Sequence, residues 1–378
     1  MADNNENKVL NVPPLRFPEF TEEWKAEQLD NIATLSKGIG ISKEQLSEDG
    51  EPCILYGELY TKYKSEIIKQ VESKTDINGS KLKRSKANDV IIPCSGETAV
   101  DIATARCVPF DNILFGGDLN VISLHQYDGA FMSYQLNGKR KYDIARVAQG
   151  VSIVHLYGEH LKAIKTYNPT LPEQQKIAKL LSLLDDRIDT QNKIIERYES
   201  LIRGIAQNVI RSNKPNVLLS ECLECSSSTL QESDVCENGT YPVYGANGIV
   251  GYLDDYNTED EAVHIIKDGS GVGTVSYATG RCSATGTLNT LQAKDGYLLQ
   301  YLYYMLKVFN FEPYKTGMAI PHIYFKDYGK AKIFCPSYTE QLKYVELLSA
   351  IDNKLSAEQS ILTNLSLQKQ YLLRQMFI

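Results

Sequence analysis

The sequence predicts an α+β protein with a pseudo-twofold internal repeat, in which two mixed α/β domains are separated by two long helices that form an antiparallel coiled coil. The first observation is a repeat at a fixed spacing of 167 residues: His155-Leu-Tyr157 returns as His322-Ile-Tyr324, and Leu180-Leu-Ser182 returns as Leu347-Leu-Ser349. The second is a heptad pattern that follows each copy of this motif. A segment duplicated without gaps indicates a molecule with two equivalent halves.

The repeat divides the chain into five segments. These are an N-terminal extension (1–16), a first mixed domain (17–169), a central helix (170–212), a second mixed domain (213–336) and a C-terminal helix (337–378). We call the two mixed domains head 1 and head 2. An apolar strand that runs into a glycine loop occurs in both heads, as Asp89–Gly96 and as Ala262–Gly269. The heads are less alike than the helices, which favours one scaffold that presents two different surfaces.

Each predicted helix has a seam of mostly apolar residues that advances by alternating steps of four and three. The seam of the central helix includes Ile177, Leu181, Leu184, Ile188 and Gln191, and that of the C-terminal helix includes Leu348, Ile351, Leu355, Glu358 and Leu362. Heptads sustained over about five turns favour helices that pack on each other. The alternative is two ordinary amphipathic helices, each packed on its own domain.

Local signals predict where the helices begin and which residues meet. Capping boxes at Thr170–Glu173 and Ser337–Glu340 predict the two starts, and Lys214-Pro215 predicts the end of the central helix. Gln191 and Glu358 are polar residues at the same position of the two seams. An antiparallel pair with a pseudo-dyad would bring them within about one turn of each other.

The composition is that of a large globular chain, with 378 residues of which 43% are hydrophobic and 23% charged. No apolar run has the about twenty residues of a membrane span, and the N-terminus lacks the apolar core of a secretory signal, so we expect a cytoplasmic protein without membrane contact. The eight scattered cysteines are expected to stay reduced. Cys222, Cys225 and Cys236 could supply three zinc ligands, but no second CxxC motif follows, and no metal site is predicted.

Catalytic motifs are missing from the sequence. It has neither a GxxxxGK[ST] phosphate loop nor the N/D-P-P-aromatic motif of adenine methyltransferases. The glycine-rich segment Lys267–Gly273 lacks GxGxxG spacing and a following helix. We therefore predict a protein that catalyses no reaction and holds no cofactor of its own.

The remaining candidate sites are surfaces that could contact DNA. Basic clusters would hold phosphates, and hydroxyl or amide groups in glycine-rich loops could meet base edges. The candidates are Lys81, Lys83, Arg84, Lys86, Ser95, Lys139, Arg140, Arg146, Gly150 and Ser152 in head 1, and Tyr244, Asn247, Lys267, Ser270, Arg281, Lys315 and Gly317 in head 2. Because the net charge is −7, such contacts would come from local basic loops on an acidic protein. The alternative is that these residues form solvated surface and structural turns.

Several motifs together resemble the specificity subunit of type I restriction-modification systems. Pro14–Trp24 looks like the opening of that family, and Pro169–Ala178 resembles the segment that leads into its first conserved helix. The second copy, Pro336–Lys343, keeps the Glu-Gln pair but has Thr339 in place of the proline. The resemblance covers nearly the whole chain.

This resemblance implies a function and a set of partners. Two target recognition domains would lie at opposite ends of an antiparallel helix pair, and each would read one half of a split site in double-stranded DNA. The helices would dock two methylation subunits, with restriction subunits joining outside. S-adenosylmethionine, ATP and Mg²⁺ would belong to those partner subunits, and this chain would be non-catalytic.

Two other classes of function stay open at this stage. A coiled-coil adaptor whose heads bind protein or carbohydrate would suit the acidic charge, and its binding would depend little on salt, whereas phosphate contacts give a steep dependence. An enzyme fused to a coiled coil would require a catalytic cluster that the sequence does not show.

Overall fold

The computed structural model describes residues 10–317 and 319–378, which divide into two compact units. Unit 1 contains the chain up to Gln191 together with Ile361–Ile378, and unit 2 contains Asn192–Ser360. Each unit therefore combines one head with part of both long helices. Residues 1–9 of the predicted N-terminal extension lie outside the described residues.

Head 1 consists of short strands and short helices. Its strands are β1 (Lys25–Gln28), β2 (Ala33–Lys37), β3 (Leu46–Ser47), β4 (Glu51–Ile54), β5 (Lys74–Thr75), β6 (Lys83–Arg84), β7 (Asp89–Pro93), β8 (Ser95–Gly96), β9 (Arg106–Val108), β10 (Leu114–Phe115), β11 (Leu119–Leu124), β12 (Val154–His155) and β13 (Lys165–Asn168). Its helices are α1 (Leu29–Ile32), α2 (Glu58–Thr61), α3 (Ala99–Ile102), α4 (Gly129–Asn137), α5 (Lys141–Val147) and α6 (Gly158–Lys162). The first long helix, α7 (Leu171–Ser212), follows.

Head 2 repeats this arrangement with fewer elements. Its strands are β14 (Val217–Leu218), β15 (Leu223–Ser227), β16 (Tyr241–Gly245), β17 (Gly248–Leu253), β18 (Ala262–Ile266), β19 (Val275–Ala278), β20 (Ser283–Ala284), β21 (Leu288–Ala293) and β22 (Lys332–Ile333). Its helices are α8 (Leu219–Cys222), α9 (Leu299–Leu306) and α10 (Phe325–Tyr328), and the second long helix is α11 (Tyr338–Gln375).

The sheets show that the two heads share one topology. Each head has an antiparallel sheet of four strands, with the order β2-β11-β7-β9 in head 1 and β15-β21-β18-β19 in head 2. The strands β7 and β18 are buried along their whole length, which explains why most of their residues are apolar. Each head also has a strand pair that joins its first and last strands, β1 with β13 and β14 with β22. The pseudo-twofold repeat predicted from sequence is therefore present in the fold.

A second, smaller sheet differs between the heads. In head 1 it has five strands in the order β3-β5-β4-β10-β6, and in head 2 it has three in the order β17-β16-β20. Both sheets contain one parallel pair, β4 with β10 and β16 with β20, which marks their common origin. The divergence between the heads is thus concentrated in these small sheets.

Within unit 1 the two long helices run antiparallel. The ammonium of Lys369 on α11 lies 2.6 Å from the carboxylate of Asp185 on α7, and Ile177 and Met376 belong to one hydrophobic cluster further along. Moving from Asp185 to Ile177 on α7 therefore corresponds to moving from Lys369 to Met376 on α11, so the two helices run in opposite directions. All ten predicted seam residues are buried or half-buried, as a coiled-coil seam requires. Gln191 belongs to unit 1 and Glu358 to unit 2, and their proximity stays a prediction.

One of the two predicted capping boxes is wrong. The carboxylate of Glu173 accepts two hydrogen bonds of 2.7 Å from Arg16 and one of 3.2 Å from the Trp24 indole, so it ties the N-terminal segment to α7 instead of capping the helix. At the start of α11, the hydroxyl of Ser337 does donate to Glu340 at 2.6 Å. Sequence spacing alone could not reveal Arg16 as a competing donor, because it lies 157 residues away.

The N-terminal segment packs against unit 1. Trp24 is buried in a cluster with Phe131, Ile177 and Phe377, and the Leu15 amide donates to the carbonyl of Gln375. Residues 10–16, which the sequence suggested to be an extension, are therefore held against the ends of both long helices. Throughout the described part of the chain, every helix is too short or too polar to span a lipid bilayer.

Candidate nucleic-acid interface

Each head carries the same short hairpin just before the His-x-Tyr motif. In head 1 the amide and carbonyl of Gln149 bond to those of His155 at 2.8 and 2.6 Å, and in head 2 Thr316 bonds to His322 at 2.9 and 2.7 Å. We call the loops that these bonds close hairpin 1 (residues 150–154) and hairpin 2 (residues 317–321, of which residue 318 lies outside the described residues). The 167-residue repeat therefore extends to individual backbone hydrogen bonds.

The glycine that opens each hairpin is required by geometry. Gly150 has φ +120° and Gly317 has φ +89°, conformations that side-chain-bearing residues rarely adopt. A Cβ atom would lie 2.1 Å from the Ile153 carbonyl oxygen in hairpin 1 and 2.3 Å from that of Ile320 in hairpin 2. The two glycines thus let the chain fold back tightly enough to project the tip.

The hairpin tips expose apolar side chains. Val151 is 98% exposed and Ile153 is 60% exposed in hairpin 1, and Ile320 is 58% exposed in hairpin 2. The tyrosines of the His-x-Tyr motifs, Tyr157 and Tyr324, are also about half exposed. Clustered apolar exposure at equivalent positions of both heads indicates a binding surface.

The hairpins dock on the ends of the buried strands through their histidines. The imidazole Nδ1 of His155 lies 3.3 Å from the hydroxyl of Ser95, and that of His322 lies 2.6 Å from the carboxylate of Asp268. Ser95 and Asp268 occupy equivalent places, just after β7 and β18. Gly269 also donates its amide to the Pro321 carbonyl at 3.0 Å, which fixes hairpin 2 beside the glycine loop of head 2.

Beside hairpin 1 lies an open cleft of about 730 Å³. Its lining includes Ser95 and Ser152, both predicted from sequence, and the rings of Tyr56 and Tyr60. The Tyr60 hydroxyl donates to the Ser95 carbonyl at 3.1 Å, and burial raises the pKa of this tyrosine, so it stays a neutral hydrogen-bond donor. In nucleic-acid complexes, hydroxyl groups of this kind form hydrogen bonds to phosphates, and aromatic rings stack on bases.

In head 2 the structure brings several predicted residues together. The Lys267 carbonyl accepts a hydrogen bond from the Ile323 amide, so Lys267 and Ser270 lie beside hairpin 2 with Gly317. Tyr244 packs against Ile266, the residue before Lys267. Asn247 is exposed in the turn between β16 and β17. Lys267, Ser270 and Gly317 are therefore the predicted residues that the structure brings together on head 2.

Four predicted lysines of head 1 lie outside hairpin 1. Lys83 lies in β6, at the edge of the five-stranded sheet, and Lys81 and Lys86 lie just before and just after this strand. Among the described residues they have no ion pair, so their charges are available to an anion. Lys139 is exposed at the turn after α4 and is likewise without an ion pair in the described part of the chain.

The other predicted cations already have carboxylate partners. Arg84 makes two hydrogen bonds with Glu51, of 2.6 and 3.0 Å, and this guanidinium lowers the pKa of that carboxyl. Arg140 lies 3.3 Å from Asp143 and donates to the carbonyl of Ile378 at 3.1 Å, so it holds the end of the chain. The remaining pairs are Arg146 with Asp143, Arg281 with Glu259 and Lys315 with Glu312.

Sequence reasoning missed the exposed tips and the cleft tyrosines. The repeat could have indicated Tyr157 and Tyr324, which stand at matching positions of an identified motif. Tyr56 and Tyr60 lie in a segment without a counterpart in head 2, and no local pattern marks them as exposed. In residues 10–317 and 319–378, no three histidine, cysteine or acidic side chains come close enough to hold a metal ion.

Comparisons with known proteins agree with this arrangement. A family model described as the type I restriction modification DNA specificity domain matches residues 21–200 and 219–366. A type I specificity subunit from Mycoplasma genitalium is 24% identical over 283 residues, which cover 68% of this chain and 73% of that protein. The EcoprrI specificity subunit of Escherichia coli is 27% identical over 116 residues, 31% of this chain and 29% of that one.

A solved structure shares the fold. The crystal structure of a type I restriction-modification S subunit from M. genitalium covers 97% of this chain and 99% of its own, with a TM-score of 0.67 at 20% sequence identity.

Proposed function

This chain belongs to the type I restriction-modification DNA specificity family and has two DNA specificity domains, and from this premise we propose that each head reads one half of a bipartite, asymmetric site in double-stranded DNA. The long helices set the spacer between the half-sites and dock two methylation subunits. The observation that carries the proposal is the combination of one shared framework, including the hairpins, with small sheets that differ between the heads.

The hairpins, which both heads share, and the small sheets, which differ between the heads, would have different roles in DNA recognition. An element that is the same in both heads cannot tell two different half-sites apart, so hairpins 1 and 2 contact what all DNA has in common. The small sheets, with five strands in one head and three in the other, are the elements that can discriminate. Two different readers on one framework imply two different half-sites, and hence an asymmetric target.

The hairpins have suitable chemistry for DNA. Backbone amides at Gly150, Ser152 and Gly317 can donate to phosphate oxygens, and the exposed aliphatic tips can contact the sugars of the DNA backbone. Phosphates would be neutralised by five lysines that have no ion pair among residues 10–317 and 319–378, namely Lys81, Lys83, Lys86, Lys139 and Lys267. We leave Arg84 and Arg140 out of this surface, because both guanidinium groups are engaged within the head.

Catalysis and cofactors are assigned to partner subunits. We infer that this chain is non-catalytic, that S-adenosylmethionine, ATP and Mg²⁺ bind to the methylation and restriction subunits, and that the complex works in the cytoplasm. Membership of the specificity family supports this division of labour.

The proposal is tested by mapping methylated bases in DNA from cells that express this chain with its methylation subunits. We expect a motif with two different half-sites around a spacer of fixed length. A chimaera in which residues 241–253 come from another specificity subunit should change one half-site and leave the other as it was. Methylation without a common motif, or a change in both halves, would contradict the proposal.

A second candidate is a coiled-coil adaptor whose heads bind a ligand other than DNA, which the net charge of −7 favours. The two functions differ in their response to salt. DNA binding through several phosphates loses orders of magnitude in affinity between about 50 and 200 mM salt. Binding to duplex DNA that is weak and independent of salt would favour the adaptor.

A further inference from the structure

Unit 2 contains an open groove at a place that is filled in unit 1. It has a volume of about 460 Å³ and lies between α9 and the parts of α7 and α11 that belong to unit 2. The groove has an apolar floor and a charged rim. Its lining includes Ile202, Tyr303, Leu355, Arg203, Lys307 and Asp352. We call it the unit 2 groove.

The internal repeat identifies the same place in unit 1. In unit 1 the hydroxyl of Tyr134 donates to Asp185 at 2.7 Å, and in unit 2 that of Tyr304 donates to Asp352 at 3.4 Å. Asp185 and Asp352 are 167 residues apart, and the tyrosines stand at matching positions of α4 and α9. The two sites are therefore equivalent.

In unit 1 this place is filled by the chain itself, through the segment Glu66–Lys69. The Glu66 carboxylate accepts a hydrogen bond of 2.6 Å from Lys369 on α11. Ile67 packs into the hydrophobic cluster with Tyr134. The Lys69 ammonium lies 2.7 Å from Asp186 and 2.5 Å from Asp189 on α7. An aliphatic side chain flanked by charged residues is thus what this framework accepts.

In the described part of head 2, the equivalent connection is too short to do the same. Glu66–Lys69 belongs to the 19-residue connection between β4 and β5, whereas the strand equivalent to β4, which is β16, passes directly into β17 through a turn at Ala246 and Asn247. The groove is left open because the connection that would cover it is replaced by a tight hairpin.

The groove also contains a carboxylate that makes no ion pair among the described residues. In unit 1, Asp185 is neutralised by Lys369, but the residue of unit 2 at the position of Lys369 is Ile202. Within the described residues, Asp352 has no lysine or arginine partner, and its one hydrogen bond comes from Tyr304. A half-buried carboxylate in this setting is stabilised by a cation that enters the groove.

We propose that the unit 2 groove binds a short segment of a partner polypeptide, with an aliphatic side chain on the apolar floor and a basic side chain near Asp352. A polypeptide is the occupant that the fold itself places at the equivalent position of unit 1. Resting on the proposed function, we assign this segment to one of the two methylation subunits. The two methylation subunits are then bound unequally, because only unit 2 offers an open groove.

The test fills the groove with a side chain and counts the partners. Ser356 is exposed on α11 and lines the groove, so Ser356→Trp blocks it without burying a polar group. Native mass spectrometry and titration with purified methylation subunits should show one of the two docking steps weakened at least tenfold. The matched control is Ser200→Trp, the same substitution at an exposed residue of α7 in unit 2 that does not line the groove, and it should leave both steps within twofold of the unsubstituted chain.

Each outcome has a definite meaning. Two docking steps of unchanged affinity in Ser356→Trp overturn the proposal, as does an equal loss in Ser200→Trp, which would place the effect on the general helix surface. A dimer of this chain that Ser356→Trp dissociates would also overturn it, by identifying a second copy as the occupant. If the unsubstituted chain docks no methylation subunit, the proposed function itself fails, and that result is distinct from a difference between the variants.

Discussion

At the scale of single residues, the two heads differ at His264, which is a buried histidine in head 2. It is the third residue of the buried strand β18, and the third residue of the equivalent strand β7 is Ile91. His264 is 1% exposed, and neither ring nitrogen has a hydrogen-bond partner among the described residues. Burial therefore lowers the pKa of His264 to about 4.

This pKa predicts a pH-dependent stability. Between pH 6.5 and 4 the unfolded chain binds a proton at His264 that the folded chain does not, so stability falls as pH falls through this window. The expected loss between pH 8 and pH 5 is about 2 kcal/mol from this group. His264→Ile, which installs the residue used by head 1, should remove that loss. Urea denaturation at pH 8 and pH 5, followed by tyrosine fluorescence, measures the difference.

The matched control is His125→Gln. His125 lies at the surface of head 1, where its ring nitrogen Nε2 is 2.8 Å from the hydroxyl of Thr34. The substitution should leave the difference in stability between pH 8 and pH 5 unchanged. An equal pH dependence in His264→Ile and the unsubstituted chain would show that His264 is hydrated or charged in the fold.

A second prediction concerns the buried ionic cluster of unit 1. Lys369 lies 2.6 Å from both Glu66 and Asp185, and it is the only one of the three that is positively charged. Burial raises the pKa of Asp185, and Glu66 raises it further, whereas the Lys369 ammonium lowers it. Lys369→Ile should cost about 3–5 kcal/mol, because it leaves buried carboxylates without a partner. Chemical denaturation gives this free energy of unfolding directly.

Two further variants separate the contribution of charge to the free energy of unfolding from that of side-chain packing. Adding Glu66→Gln and Asp185→Asn to Lys369→Ile should recover part of the loss, since Ile202 occupies the equivalent position of unit 2 without an ion pair. Lys69→Met removes a more exposed pair and should cost less than about 1 kcal/mol. A loss in Lys369→Ile as small as that in Lys69→Met would refute the ionic account.

The ion pairing of surface residues was the feature that the sequence predicted least well. Arg84 stands in a basic run, but its partner Glu51 comes from another strand, 33 residues earlier. Which cations are neutralised is decided by contacts between distant segments, and a single sequence does not show them. The apolar seam residues were predictable, because their burial follows from the period of one helix.

At the scale of elements, the long helices were predicted almost completely and the small sheets hardly at all. Predicted bounds of 170–212 and 337–378 compare with Leu171–Ser212 and Tyr338–Gln375. A heptad pattern is local and long, so it averages over many residues. The small sheets consist of strands of two to six residues whose pairing is set by the rest of the head. The position of the hairpins could be recognised from the sequence only because both copies of the repeat contain it.

The hairpins provide a prediction at this scale. Gly150→Ala and Gly317→Ala place a Cβ within 2.1 and 2.3 Å of a carbonyl oxygen, so each hairpin must open. We expect about tenfold weaker binding of specific DNA by the complex with methylation subunits for each variant, or about 1.4 kcal/mol. Fluorescence anisotropy with a labelled duplex measures the affinity, and circular dichroism verifies that the heads stay folded.

The control for this prediction is Gly204→Ala on the surface of α7, where a Cβ meets no atom within 4 Å. It should bind DNA as the unsubstituted chain does and be slightly more stable, since alanine favours the helix. If Gly150→Ala and Gly317→Ala bind DNA with unchanged affinity, the hairpins are not part of the DNA surface.

At the scale of the whole molecule, the duplication explains how one chain can serve two targets. Both heads share the four-stranded sheet, the closing strand pair and the hairpin, so the framework can be preserved while each small sheet changes separately. The internal repeat was visible in the sequence because the helices and the His-x-Tyr motifs have kept their spacing. Which bases each head reads depends on loop geometry that residue types do not determine.

The last prediction tests whether the long helices measure the distance between half-sites. One extra heptad after Gln191 and one after Glu358 keep the seam in phase and lengthen both helices by about 10 Å, which corresponds to about three base pairs of DNA. Sequencing of methylated DNA should then show the same two half-sites with a spacer about three base pairs longer. A heptad in α7 alone should abolish methylation, because it shifts one seam against the other. A lengthened pair that still methylates the original spacing would show that the spacer is set by the heads and not by the helices.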